Sequence, residues 1–291
     1  MDVLVVGALH HDVIVSAPRL PELDETLKGS SVAYALGGKG GNQALAAARH
    51  GAKTAFAGCI GDDEAGRSMR AQLASGGVDV AQIETDRSLA SGMSVAIITE
   101  NGDYGAVIVS AANEAIDASS ITSPHGLKWL ILQNEVLPEI NLAIANKAAE
   151  AGTKIMLNAA PARHIEPELM DLVDVLIVNR VEAKALGKSI FDDRCAVIET
   201  RGGDGLYVSQ AGVEKTFVPA FQVEIVSTHG AGDCFVGALA ARLCSGDVLE
   251  KAVLYASAAA ALHVSATGNA RLAITPEDTF KLMGTRHADG H

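Results

Sequence analysis

The sequence has few aromatic residues, no excess of positive charge and no long apolar run. Aromatic residues make up 4% of the 291 positions, so the core must be built from Ala, Val, Leu and Ile within a hydrophobic content of 48%. The net charge of -12 is spread along the chain, which argues against nucleic acid as a partner, although a local pocket can still bind a phosphate-bearing small ligand. No apolar run reaches the roughly 18 residues of a membrane-spanning helix, so we expect no membrane association.

The four cysteines are too scattered for a zinc site or a redox pair. Cys59, Cys195, Cys234 and Cys244 form no C-x-x-C spacing, and each lies in an apolar stretch. We therefore expect buried free thiols in a reducing cytoplasm. The N-terminal MDVLVVG has an acid at position two and no basic segment, which predicts a first strand and not a signal peptide.

Short apolar strands alternate with Ala-rich helices along most of the chain. This alternation predicts an α/β fold with three α/β/α layers, in which a mostly parallel central sheet is covered on both faces. We find no linker or repeat, so a single domain over 1–291 is expected. The predicted strands of this sheet are 2–7, 54–61, 128–133, 153–158, 174–179, 195–200 and 223–228.

Four further apolar runs do not fit the alternation. The runs are 12–17, 31–36, 94–100 and 104–110, and Asn101-Gly102 between the last two is a strong hairpin signal. They predict a small antiparallel flap attached to the main domain. A shorter antiparallel excursion is predicted from LYVS and TFVP, after the strand at 195–200.

Polar residues and glycines follow nearly every strand of the predicted parallel sheet. Because parallel sheets bind ligands at the carboxyl ends of their strands, we expect these residues to share one site. They are Asp12, 133–135, Asn158, Asn179 with Glu182, 200–205 and 227–233.

The stretch STHGAGDCF at 227–235 opens a helix with Gly230, Ala231 and Gly232 before Asp233. Unpaired backbone N–H groups at a helix start favour an anion, and small residues let a phosphate approach them closely. Asp233 is then either a helix cap or first-turn acid, or the general base toward a hydroxyl that attacks phosphorus. The glycines in front favour the second interpretation, since a cap does not require them.

Three other motifs are weaker when each is taken alone. GGKGGNQ at 37–43 is neither a Walker A nor a Rossmann motif, and is either a flexible loop or a loop that wraps a polyhydroxylated ligand. NRVE places Asn179 and Glu182 on one helix face, either as a capping box or as a water-mediated Mg²⁺ site. TRGGDG at 200–205 fits a turn and also fits contact with a nucleotide.

Taken together and in order, these motifs resemble the ribokinase-like sugar kinases of the PfkB carbohydrate kinase family, and ribokinase most of all. GALHHD, GGKGGNQALAAARHGA with GCIGDDEAGRSM, LNAAPAR, VNRVEA and STHGAGDCFVGAL carry the resemblance across the chain. It implies a kinase that uses ATP and Mg²⁺, with a β-sheet lid formed by about 12–36 and 92–111 that closes over the sugar and often forms a dimer contact. A homodimer through the lid is expected.

The resemblance also implies a role for each motif residue. Asp233 would be the catalytic base, with an anion hole from the amides of Gly230, Ala231, Gly232 and Asp233. The remaining roles are sugar binding by Asp12, Gly38, Lys39, Asn42 and Glu135, nucleotide binding by Asn179, Thr200, Gly202 and Gly205, and Mg²⁺ binding through water by Glu182.

Three positions depart from the family pattern. Ser227 replaces an Asp that helps to bind an activating monovalent cation in ribokinase, which puts K⁺ dependence in doubt. His10 replaces an Asn two residues before the sugar-binding Asp, which points to a sugar other than ribose. The connection at 187–195 is shorter by about a helix, on the side where the nucleotide is expected.

Three functions remain to be compared. An ATP-dependent kinase of ribose or a related sugar is favoured over a nucleoside kinase of the same fold, because the lid offers only Tyr34 and Tyr104 for stacking on a base. A non-catalytic sugar sensor would be expected to lose the base or the anion hole, and both are intact in the sequence.

Overall fold

A computed structural model describes residues 1–101, 104–187, 194–211 and 213–288. The strands, in chain order, are β1 (Val3–Val6), β2 (His10–Ala17), β3 (Ser31–Gly37), β4 (Thr54–Gly61), β5 (Asp79–Asp86), β6 (Met93–Thr99), β7 (Tyr104–Val109), β8 (Trp129–Gln133), β9 (Lys154–Asn158), β10 (Val175–Asn179), β11 (Ala196–Thr200), β12 (Leu206–Gln210) and β13 (Val213–Val218). The helices are α1 (Lys39–Arg49), α2 (Glu64–Ser75), α3 (Pro138–Glu150), α4 (Pro167–Met170), α5 (Arg180–Leu186), α6 (Ala231–Cys244), α7 (Leu249–Val264), α8 (Gly268–Leu272) and α9 (Pro276–Ala288).

Nine strands form one large sheet in the order β13-β12-β11-β10-β9-β8-β1-β4-β5. All neighbours from β11 to β5 pair in parallel, and β12 and β13 extend one edge as an antiparallel hairpin. The mostly parallel central sheet is therefore confirmed. The predicted excursion of LYVS and TFVP is part of this same sheet.

Helices cover both faces of the large sheet. In β1, Val3 and Val5 pack into a core shared with α1, α2, α6 and α7, whereas Leu4 and Val6 pack into a second core with α3 and α4. Because successive side chains of a strand point to opposite faces, a fully apolar strand such as β1 must be covered on both sides. The three-layer α/β/α arrangement predicted from the sequence is confirmed.

The second, smaller sheet has four strands in the order β3-β2-β6-β7. It contains all four runs that did not fit the alternation, but it is not purely antiparallel as predicted, because β2 and β6 pair in parallel. A parallel pair needs a long crossover connection, and here the segment from β3 to β5 lies between the two strands in the chain. Part of the predicted Asn101-Gly102 hairpin lies outside the described residues.

The predicted strand at 223–228 is wrong. The backbone N–H groups of Val226 and Ser227 donate to the carbonyl oxygen of Val264, at the end of α7, and not to a neighbouring strand. Ile225 and Val226 are exposed, so the apolar pattern that suggested a strand does not face the core. Conversely, β5 was not predicted, since its sequence DVAQIETD is mostly polar and lies at the sheet edge.

Most of the connection at 187–195 lies outside the described residues, so its shortening on the nucleotide side stays a prediction. Across the residues that are described, no helix combines the length and the hydropathy that crossing a membrane requires.

Candidate active site

Two adjoining cavities open at the carboxyl ends of the parallel strands. The first, called here the polar cavity, has a volume of about 210 Å³ and is lined by Lys39, Asn179, Glu182 and 230–233 among others. The second, called here the apolar cavity, has a volume of about 360 Å³, and its walls include Phe221, Val223, Ile225, Phe235 and Val264. Both cavities are lined by Thr200, Thr228, Ala231 and Gly232, so an elongated ligand can extend from one into the other.

The N-terminus of α6 points three free amides at the polar cavity. Within the described residues, the N–H groups of Gly230, Gly232 and Asp233 have no hydrogen-bond acceptor, whereas that of Ala231 donates to the Thr228 carbonyl at 3.2 Å. Gly230 is the N-cap in the left-handed region with φ 74°, where a Cβ would lie 3.2 Å from Nε2 of His263. Unpaired amides at a helix start form an anion-binding site.

Asp233 is not the cap of α6. It is the third residue of the helix, it is buried, and the cap at Gly230 has no side-chain hydrogen bond. Burial raises the pKa of Asp233 to about 6, with Glu135 raising it further and Lys39, Gln43 and His229 lowering it. A carboxylate with a pKa close to neutrality can accept a proton in a reaction and still be ionised beforehand.

Gln43 fixes one oxygen of this carboxylate. Its Nε2 donates to Oδ1 of Asp233 at 2.9 Å, and its side chain is fully buried between α1 and α6. The second oxygen of Asp233 is left for another partner. The sequence prediction missed Gln43, although its spacing of four residues from Lys39 on α1 places both on one helix face.

Lys39 joins the polar cavity to a group of carboxylates. The backbone N–H of Lys39 donates to Oε2 of Glu135 at 2.7 Å, directly after β8. Asp12 lies against the end of β3, where a Cβ on Gly37 would be 2.1 Å from its Oδ1, so any larger residue there would displace the carboxylate. Burial raises the pKa of both Glu135 and Asp12.

Two histidines complete this side of the site. Nε2 of His229 lies 4.0 Å from Oδ2 of Asp12, so His229 links the loop before α6 to the small sheet. His10 is buried, and its Nε2 has no hydrogen-bond partner among the described residues. Burial lowers the pKa of His10, so the ring is neutral at pH 7 and its Nε2 can hydrogen-bond a ligand. His229 lies in the predicted stretch 227–233, but it was assigned no role from the sequence, because only its position beside GAGD signals it.

Asn179 and Glu182 form the capping box that the sequence left as one alternative. The Asn179 side chain accepts from the N–H groups of Val181 and Glu182 at 2.8 and 3.0 Å, and Oε2 of Glu182 accepts from the Asn179 N–H at 2.7 Å. Both residues also line the polar cavity, so the cap does not remove Glu182 from it. Burial raises the pKa of Glu182, and the Asn179 N–H and the charge of Lys39 lower it in part.

The remaining predicted residues lie around these groups. Thr200, Gly202 and Gly205 line the apolar cavity. Gly38 is the N-cap of α1, and Asn42 lies in the first turn of that helix, where its N–H donates to the Gly38 carbonyl at 3.1 Å. No group of three or more His, Cys, Asp or Glu side chains that could hold a metal ion occurs within the described ranges.

Ribokinases are among the known proteins with a similar sequence and fold. Residues 1–275 match the family described as pfkB family carbohydrate kinase. The ribokinase of Haemophilus influenzae is 32% identical, over 96% of this chain and 97% of its own length, and that of Bacillus subtilis is 31% identical, over 92% and 94%. The structure of Arabidopsis thaliana ribokinase complexed with ribose and ATP has a TM-score of 0.88 at 26% identity, covering 97% of this chain and 98% of that chain. The chain therefore belongs to the pfkB family of carbohydrate kinases.

Proposed function

We propose that the protein transfers the γ-phosphoryl group of ATP to a hydroxyl group of ribose or a related small sugar. The observation that carries this proposal is the position of Asp233, which is buried and held by Gln43 beside the three free amides at the start of α6. A base and an anion-binding site within one helical turn are what phosphoryl transfer to an alcohol requires.

In this mechanism the sugar hydroxyl gives its proton to Asp233 and attacks the γ-phosphorus in line with the leaving oxygen. The amides of Gly230, Gly232 and Asp233 then stabilise the negative charge that develops on the transferring group. Asp12, Lys39 and Glu135 hold the sugar, with Gly38 and Asn42 at the start of α1. A sugar hydroxyl is also a suitable partner for the unpaired Nε2 of His10.

The two cavities divide the nucleotide between them. The polar cavity would take the phosphates, beside Lys39 and Asn179 and next to the free amides. The apolar cavity would take the adenine, between Phe221 and Val264 and next to Thr200, Gly202 and Gly205. An apolar wall with a few polar groups is the usual lining of a nucleobase site.

Magnesium fits the donors of the polar cavity. Mg²⁺ usually keeps several waters and binds one or two carboxylates together with substrate phosphates, so a full cage of protein ligands is not required. Glu182 supplies a buried carboxylate at the cavity wall and would hold Mg²⁺ through water. When bound, the ion neutralises phosphate charge.

A nucleoside kinase is the alternative, and the small sheet argues against it. Tyr34 is the aromatic side chain of β3 that could stack on a base. By the strand register Asp12 lies opposite Ala35, so Tyr34 projects from the other face of the sheet, where it stacks on His11 at 5.4 Å. The side chain of Tyr104 lies outside what the structure describes.

We also propose that the whole chain works as one catalytic domain whose lid, about 12–36 and 92–111, closes over the sugar. The face of the small sheet opposite Asp12 carries exposed apolar side chains, and a second copy of the chain would cover them in a homodimer. These side chains are Val32, Tyr34, Val95, Val107 and Val109. Substitution of one of these residues by Lys should lower the mass measured by light scattering from that of a dimer to that of a monomer.

The cytoplasm is the compartment we propose, because ATP is available there and all four cysteines are free thiols. The kinase activity is tested by measuring ADP release over pentoses, deoxypentoses, hexoses and nucleosides. Turnover with a free sugar at least tenfold above that with any nucleoside is expected. ADP release with nucleosides alone would establish the alternative.

A further inference from the structure

Four backbone carbonyl oxygens converge on the guanidinium group of Arg271, in α8. Its Nε donates to the carbonyls of His263 and Ala266 at 3.0 and 3.1 Å. Nη1 donates to the carbonyl of His229 at 3.3 Å, and Nη2 to that of Ser227 at 3.2 Å. One side chain thereby ties the loop before α6 to the end of α7.

The surroundings of Arg271 are those of a cation site. Among the described residues no carboxylate lies within ion-pairing distance of this guanidinium, so its partners are the four carbonyl dipoles. The C-terminal end of α7 adds the negative end of a helix dipole. Converging backbone carbonyls are also the ligands that bind alkali cations elsewhere in proteins.

The neighbouring His263 is neutral, so the positive charge at this place is that of Arg271. Nε2 of His263 lies 2.9 Å from the His229 carbonyl, so this nitrogen carries the proton and donates it. Burial, chiefly, lowers the pKa of His263 to about 4, so the ring is neutral at pH 7. Burial and the positive charge of Arg49 lower the pKa of Arg271, and Cys234 raises it. Arg49 therefore disfavours an additional cation at the same place.

These contacts determine where the anion-binding amides point. In a trans peptide the C=O and the following N–H point in opposite directions. Because Arg271 and His263 hold the carbonyl of His229, the N–H of Gly230 is directed away from them, and Gly230 itself lines the polar cavity. A cation at the position of Arg271 therefore orients the first amide of the anion hole.

We propose that Arg271 is a built-in cation that takes the place of a diffusible monovalent ion, so that this kinase does not depend on K⁺. The inference rests on the proposed function, since the role given to Arg271 is to orient the amides that receive the transferred phosphoryl group. The residue at position 227 agrees with this proposal. Ser227 lacks the carboxylate that helps to bind the ion in ribokinase, and its carbonyl oxygen accepts a hydrogen bond from Arg271. The residues present thus do not fit an added K⁺.

The first test compares turnover of the wild-type protein in K⁺ and in tetramethylammonium salts of equal ionic strength. The two rates should agree within about twofold, and a K⁺ activation of tenfold or more would overturn the proposal. If no sugar gives ADP release at all, the proposed function has failed. The inference is then decided by thermal stability alone, which K⁺ should leave unchanged in the wild-type protein relative to tetramethylammonium.

The second test removes the built-in cation. Arg271→Ala should lower turnover about 10- to 100-fold, as is typical when a group supporting a site is lost. Guanidinium or K⁺ at millimolar concentration should restore part of the activity and raise the melting temperature of this variant. Ser227→Asp combined with Arg271→Ala should bind K⁺ more tightly than the single variant does.

Arg70→Ala is the matched control. Its guanidinium also donates to a backbone carbonyl, that of Ile83 at 2.7 Å, but it lies between α2 and β5, away from the cavities. This variant should lose stability without a response to guanidinium or K⁺. An Arg271→Ala protein that behaves in the same way as Arg70→Ala would show that Arg271 is a structural residue only.

Discussion

Replacement of Asp233 by Asn should make the protein more stable and nearly inactive. The carboxylate has a pKa of about 6 in the folded protein, against an ordinary value of 3.8. This difference of about 2 pH units corresponds to about 3 kcal/mol by which folding disfavours the ionised form. Asn has a similar shape, can still accept from Gln43, and avoids that cost.

The effect on stability has a defined pH dependence. Because the folded state binds the proton more tightly than the unfolded state, the wild-type protein loses stability as the pH rises from about 4 to 6. The stability gap in favour of Asp233→Asn should therefore open over this range and stay constant above it. At about 2 °C per kcal/mol for a chain of this size, the melting temperatures should differ by about 6 °C at pH 8.

The assay is thermal unfolding followed at several pH values, with turnover measured on the same samples. Turnover of Asp233→Asn should fall on the order of 10³-fold or more while sugar binding is retained. Asp171→Asn, which changes an exposed acid paired with Arg194, is the control and should shift neither quantity. A stability gap independent of pH, or near wild-type turnover in Asp233→Asn, would refute the assignment of Asp233 as a buried base.

Three further substitutions test the rest of the site. Gln43→Leu removes a hydrogen bond to the charged Asp233, which is worth about 1.5–3 kcal/mol. The acidic limb of the profile of turnover against pH should therefore move upward by about 1–2 pH units, and an unmoved limb would show that Gln43 does not act on Asp233. Glu182→Gln can keep the hydrogen bond from the Asn179 N–H but loses the one from Asn179 Nδ2, and it removes the charge. The Mg²⁺ concentration for half-maximal rate should rise about 10-fold or more, and an unchanged Mg²⁺ titration would exclude a role of Glu182 in binding the ion. His10→Asn restores the family residue and should shift the preference among sugars toward ribose, as read from the ratio of kcat/KM values; a constant ratio would mean that His10 does not contact the sugar.

Much of the architecture was predictable because apolar strands buried on both faces leave a strong signal. The fully apolar β1 and the helices after it predict a parallel sheet, and a parallel sheet gathers the residues after its strands at one edge. That rule correctly brought Asn158, Glu182 and Asp233 to one cavity. The polar edge strand β5 was missed, since it is half exposed and has little apolar periodicity.

Apolar residues that serve a ligand and not the core misled the prediction. The run at 223–228 has the composition of a strand, but Val223 and Ile225 line the apolar cavity. Backbone N–H groups of this run donate hydrogen bonds to the end of α7 and not to a strand. Composition does not distinguish a side chain buried by the protein from one that a ligand would bury. In the small sheet, composition likewise does not show that apolar side chains such as Val32 and Val107 are exposed.

The sequence by itself determined the fold class, the family and the positions of the motif residues, because these depend on local periodicity and on short spacings. Only the tertiary structure decided which groups act on one another. Gln43 and Asp233 are 190 positions apart, and Arg271 reaches a carbonyl 44 positions away. Hydrogen bonds of this kind depend on how α1, α6, α7 and α8 pack together, and no local pattern in the chain records that packing.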